Sequence, residues 1–157
     1  MLVLGIDQSY TSTGFVVLDS DKNIIDHGII KSNPEDDMIQ RARFIADQLV
    51  TIALKHKPKK IALEGLAFGS KGDATRDLGG LFFLIVDSLR HRFGFEISVI
   101  PPTTLKKFAT GNGRAKKQEM YSALPEQAIL EMQYLKTKGM YDVTDAYWIC
   151  SYLIDSP

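Results

Sequence analysis

Apolar residues in this chain come in short bursts cut off by polar turns. Leu2, Val3, Leu4 and Ile6 form a run too short for a helix and suited to a buried central strand. Asp7 ends it, Gln8 to Thr13 read as a polar turn, and Gly14 to Leu18 begin a second strand. Asp19 to Asn23 are a turn cluster, so residues 14–31 read as a hairpin whose second strand carries Ile24, Ile25, Ile29 and Ile30. The period then changes. Ser32 to Asp37 offer capping side chains, a proline allowed in a first helical turn, and acids near the positive end of a helix dipole. Met38, Ala42, Ile45, Leu49, Ile52 and Ala53 recur at helical spacing as far as about Lys55. Arg41, Arg43, Asp47 and Lys55 lie off that stripe and are expected in solvent.

Ile61, Ala62 and Leu63 are the next burst, closed by Glu64, and Gly65 to Asp77 read as a glycine-containing polar loop in which Phe68 stands alone. Leu78 to Phe93 read as a helix whose middle, Leu81 to Val86, is apolar on every side. Such a helix must be covered on every side. One face can lie on the sheet, and a partner subunit most simply covers the other. Gly80, Phe82, Phe83, Leu84 and Val86 are therefore the expected homodimer interface, with Gly79 and Gly80 permitting close approach. A helix sandwiched within one domain is the alternative. Glu96 to Ile100 form another strand, stopped by Pro101 and Pro102. Thr103 or Thr104 can cap a short helix, Leu105 to Ala109, ended at Thr110-Gly111. A further helix starts near Ala115 and is interrupted at Pro125, residues 126–138 form another helical segment, and the last helix runs from Asp142 to about Ile154. The sum is one α/β domain over residues 1–157, with a mixed sheet of about five strands flanked by helices.

Composition changes this picture little. No apolar stretch reaches the roughly 18 residues that span a membrane, and no secretory leader is evident at the N-terminus. Cys150, the single cysteine, can make no internal disulfide and suits a reducing cytoplasm. Charge matters more. The formal net charge is zero, yet residues 97–118 hold no acid and five bases: Lys106, Lys107, Arg114, Lys116 and Lys117. Lys71 and Arg76 add to this basic set from the 65–77 loop. The neutral total hides a dipolar surface, one side of which fits nucleic-acid phosphates.

Strand followed by carboxylate occurs twice, at Asp7 and Glu64. Either acid alone could cap its turn. The segment Asp142-Val143-Thr144-Asp145 adds two more on one helical face, since residues three apart are neighbours there; acids in a first turn also simply complement the dipole. If the strands of Asp7 and Glu64 are neighbours and the last helix packs at their ends, all four acids meet. Crowded carboxylates repel and titrate together, and hard divalent cations, Mg²⁺ or Mn²⁺, relieve that repulsion. His27, His56 and His91 are scattered, so no softer-metal cluster competes. Two such ions about 3.5–4 Å apart are the usual apparatus of phosphodiester hydrolysis.

Taken together, Gly5-Ile6-Asp7 with Thr13-Gly14, the strand ending in Glu64, the Pro101–Lys117 segment and Asp142-x-x-Asp145-Ala146 resemble the RuvC family of Holliday junction resolvases. The likeness spans most of the chain in order, with residues 119–140 the least similar. It implies an RNase H-like fold, Asp7, Glu64, Asp142 and Asp145 as catalytic metal ligands, and Lys106 and Lys117 near the scissile phosphate, with Lys117 placed to stabilise developing charge. It also implies branched DNA, four-way junctions above all, as the substrate. Two departures stand out. The family's bacterial members carry an aromatic three residues after the loop glutamate, where this chain has Ala67 followed by Phe68. Gln8-Ser9 also replaces the commoner Pro-Gly. Both would suit a divergent or phage-type member. Two other readings are a junction-binding protein with a decayed site and an actin-like ATPase fragment. All four acids being present argues against decay, and 157 residues leave no room for the second domain and nucleotide site of the ATPases.

Overall fold

A computed structural model describes residues 1–66 and 72–156. The bursts become a five-stranded sheet: β1 (Leu2–Asp7), β2 (Thr13–Asp19), β3 (Ile24–Ile30), β4 (Lys60–Glu64) and β5 (Ile97–Ile100). Their order is β3-β2-β1-β4-β5, so the opening strand is central as its unbroken apolar run requires. β1 pairs antiparallel with β2 and parallel with β4, and β4 pairs parallel with β5.

Side chains alternate across a sheet, and the alternation sorts the strands into two packed layers. Leu4, Ile6, Val17, Ile61 and Leu63 face α1 (Met38–His56) and α2 (Asp73–Arg90). Val3, Val16, Leu18 and Ala62 face the layer formed by α3 (Pro102–Thr110), α4 (Lys117–Ser122), α5 (Glu126–Met132) and α6 (Thr137–Asp155). By the same parity Gly5, Asp7 and Glu64 belong to the α6 side. This assigns both strand-ending acids to one layer.

Several boundaries differ from the sequence reading. α1 begins after Asp37, whose carboxylate accepts from the Gln40 N–H at 2.8 Å; Pro34 and the other acids precede the helix instead of lying in its first turn. Arg41 is not solvated. Its Nε donates to Ser32 Oγ at 2.7 Å, its Nη2 donates to the Tyr10 carbonyl at 3.2 Å, and its guanidinium lies over the Tyr10 ring. α2 starts at Asp73, because its polar first turns are the solvated start of an amphipathic helix. Tyr10 Oη donates to the Asp77 carbonyl at 2.6 Å and ties those turns to the β1–β2 turn. α3 begins at Pro102, a position where a missing N–H costs nothing, so Thr103 and Thr104 lie inside it. Gly111 ends it with φ 83°. α5 stops at Met132, short of the expected 138.

The largest difference is at α6, which starts at Thr137, five residues before Asp142. Gly139 lies inside this helix as a packing glycine. A Cβ there would collide with the Ile29 side chain of β3. Asp142 and Asp145 consequently sit in the second and third turns. The dipole effect fades beyond the first turn, so dipole complementarity does not explain these two acids.

The middle of α2 is covered on one side only. Leu81, Ile85 and Leu89 are buried, Phe82, Leu84 and Val86 are half-buried at the margins, and Gly80 and Phe83 face outward, Phe83 with 70% of its surface exposed. Among the described residues nothing sandwiches the outer side of this helix within the domain. Among the described residues no helix is long and apolar enough to cross a membrane.

Candidate active site

The site is built by close approach of α6 to the central strands. A Cβ on Gly5 would meet the Ala146 carbonyl and Cys150, and one on Gly14 would meet the backbone of Asp142. Only glycine lets the helix lie this near β1 and β2. Cys150 fastens the contact: its thiol is within 3.0 Å of the Val16 carbonyl and 3.5 Å of that of Val3. Burial pushes that thiol well above its usual range, which makes it a packing group and not a nucleophile.

The register places Gly5 opposite Ala62 and Ile6 opposite Leu63, so Asp7 and Glu64 leave the sheet side by side. With α6 at contact distance, Asp145 joins them, and one carboxylate oxygen from each of Asp7, Glu64 and Asp145 lies within 4.8 Å of the others. Asp142 lines the same cavity, of about 700 Å³. Its Oδ2 is buried without a hydrogen-bond partner. Uncompensated burial of this kind is costly.

Electrostatics report the same crowding. Burial raises Asp7 well above the ordinary carboxylate range, and Asp145, Glu64 and Asp142 raise it further. Asp145 is pushed to about 7 by burial, with Glu64 and Asp142 adding to it. Glu64 and Asp142 are also raised, again mainly by burial. Lys117 opposes all four of these shifts, and Lys106 opposes those of Glu64 and Asp145. The donor set is all oxygen, mutually repelling, and includes an orphaned buried atom. Those properties suit a hard divalent cation.

The basic rim has its own scaffold. Trp148 of α6 donates its indole N–H to the Met120 carbonyl at 3.0 Å and packs edge-on against Phe108 of α3. The Glu119 carboxylate accepts from the Lys116 N–H at 3.1 Å. These contacts fix the start of α4, and with Lys106, Arg114 and Lys116 around the same cavity, Lys117 faces the acids. Lys107 is exposed on α3 and does not line the cavity. Arg76 is engaged by Asp73 at 3.3 Å and Asp77 at 3.2 Å, and it too is apart from the cavity. Phe68 and Lys71 lie outside the described residues.

Two groups escaped the sequence reading. Lys138 lines the cavity and lowers the pKa of Asp142; it was hidden in the stretch least like the family. Gln8 donates from Nε2 to the Glu64 carbonyl at 2.9 Å, tying the ends of β1 and β4 together. A proline there could not make that bond.

Fold and site together define a class, an RNase H-like nuclease whose clustered carboxylates suit divalent ions. The model of the family "Crossover junction endodeoxyribonuclease RuvC" matches residues 3–150. The chain is 31% identical over 123 residues to the crossover junction endodeoxyribonuclease RuvC of Rickettsia rickettsii (strain Sheila Smith), covering 76% of this chain and 78% of that protein. Thermus thermophilus RuvC superposes with a TM-score of 0.76 at 19% identity, over 96% of this chain and 91% of the other. The same protein in complex with Holliday junction substrate gives 0.76 at 18% identity, over 98% and 94%. The chain belongs to the RuvC family of Holliday junction resolvases.

Proposed function

We propose that this chain resolves four-way DNA junctions by paired, symmetric nicking, with Asp7, Glu64, Asp142 and Asp145 holding two Mg²⁺ or Mn²⁺ ions. The observation that carries the reading is the convergence of three carboxylate oxygens within 4.8 Å, beside a fourth acid with one unpartnered buried oxygen and inside a rim of bases. When bound, such ions activate water and stabilise the leaving oxygen in phosphodiester hydrolysis. The chain's own residues do the rest. Gly5 and Gly14 set how close the helix-borne acids come to the strand-borne pair. Gln8 fixes the end of the Glu64 strand. Lys117, which faces all four acids, compensates negative charge that builds on the phosphate, while Lys106, Arg114 and Lys116 hold the neighbouring backbone. Lys107 contributes more distantly.

The protein acts as a homodimer through the outer side of α2, where Gly80 and the exposed Phe83 are flanked by Phe82, Leu84 and Val86. A two-fold assembly presents two identical sites to a two-fold junction. The test is incision of a synthetic four-way junction in Mg²⁺ or Mn²⁺, wild type beside Asp7→Asn. Paired nicks that vanish in the variant while binding persists support the reading. Binding without incision in both proteins would make this a junction-binding protein with no nuclease activity.

A further inference from the structure

A second basic groove opens on the other flank of the acids from the 106–117 segment. It is a cleft of about 430 Å³ whose lining includes Lys31, Lys136 and Lys138 with Ile29 and Tyr134. Lys138 also lines the site cavity, so the two hollows share a wall. All three lysines are exposed, and among the described residues none lies within 4.0 Å of a carboxylate oxygen in an ion pair. Among the described residues no acid lines the cleft. Tyr134 is 68% exposed, yet it is held in place: its Oη lies 2.8 Å from His27 Nε2, with the rings 5.7 Å apart. Unpaired cations beside an anchored, solvent-facing aromatic ring form the combination that binds backbone phosphates and stacks an unpaired base.

We propose that this groove carries the DNA strand away from the scissile phosphate, with Lys31, Lys136 and Lys138 on its backbone and Tyr134 stacked on a base unpaired near the branch point. The inference rests on the nuclease reading above and extends it to a second DNA flank. The acids repel phosphate on their own. A strand gripped by Lys106, Arg114, Lys116 and Lys117 on one side and by this groove on the other is held across them.

The test uses the full chain carrying Asp7→Asn, which separates binding from turnover, on a four-way junction over a range of salt. Lys31→Gln with Lys136→Gln should weaken binding at least tenfold and reduce the slope of log K against log salt by about 1.5, as expected for two lost phosphate contacts. Tyr134→Ala should cost about tenfold by loss of stacking, and Tyr134→Phe should keep most of the affinity. Unchanged affinity and slope in the double lysine variant, while Arg114→Gln still weakens binding, would overturn the proposal and confine the DNA to one flank. A parent protein that binds no junction would instead overturn the nuclease reading, and this inference with it.

Discussion

On the α1/α2 side of the sheet, Leu4, Ile6, Ile61 and Leu63 meet Ile45, Leu49, Leu81 and Ile85, and none of the eight has any exposed surface. On the α6 side the same two strands present Val3, Gly5, Asp7, Ala62 and Glu64. One face is filled by large aliphatic side chains that stabilise the domain. The other gives up volume so that a helix can approach, and it collects charge that opposes folding. The strands are shared, and only residue parity separates a stabilising layer from a reactive one. The cost of clustering four acids falls on the α6 side, and the aliphatic layer offsets it.

The largest effects should come from single changes on opposite faces. Asp7→Asn or Asp145→Asn should lower incision by roughly a thousandfold or more, the equivalent of several kcal/mol of transition-state stabilisation. The same change should raise the melting temperature of the metal-free protein at pH 8, by roughly 2–4 °C for each kcal/mol of repulsion relieved. Leu63→Ala should do the reverse, costing about 2–5 kcal/mol of stability while incision per folded molecule stays near wild type. Calorimetry beside a junction-cleavage assay reads both, and an acid variant that melts lower than wild type would break the comparison.

Next are the glycines that set the approach of α6. Gly5→Ala or Gly14→Ala drives a methyl group into helix backbone, with an expected loss of about 1–3 kcal/mol. Incision should fall by up to roughly a hundredfold through misplacement of Asp142 and Asp145. Normal cleavage by Gly14→Ala would show that this close approach is not needed.

A pH series sharpens the same contrast. Asp145 is raised to about 7 in the folded chain from an ordinary value of 3.8. A group raised on folding contributes stability that is complete below its unfolded pKa and is lost as pH climbs through the folded one. Metal-free protein should therefore lose stability between about pH 4 and pH 7, and Asp145→Asn should flatten that decline. Added Mg²⁺ should raise the melting temperature above pH 7 and do little at pH 5, where protons compete for the ligands. A stability profile indifferent to Mg²⁺ at pH 8 would count against the metal site.

Smallest in stability is the outer side of α2. Phe83→Glu should change folding by less than about 0.5 kcal/mol, because the ring is already exposed, yet give monomers in sedimentation and unpaired nicks. Phe82 and Leu84 are poorer probes, since both also pack on the core. Retained dimerisation would place the interface elsewhere.

Much of this was legible in the chain. Alternation along two short apolar runs sends Asp7 and Glu64 to one face, and the acid-free 97–118 stretch marks the basic rim. Asp142 and Asp145 were recognisable by their spacing, although the start of their helix was not. Gly139 looks the same in sequence whether it breaks a helix or admits Ile29, and only the partner decides. Gly5 and Gly14 were hidden for the same reason, because their role is a distance to α6. Arg41 reads as solvated until the Tyr10 carbonyl is found above it. Lys138 gave no local signal, since one lysine in a polar stretch has the same appearance facing water or facing an acid.

The α6-side carboxylates are expected to bind divalent cations. Anomalous scattering from crystals soaked in Mn²⁺ tests this most directly. The expected result is that the strongest peaks lie within coordination reach of Asp7, Glu64, Asp142 and Asp145 and disappear in the Asp7→Asn protein. No peak beside Asp7 at saturating Mn²⁺ would contradict it.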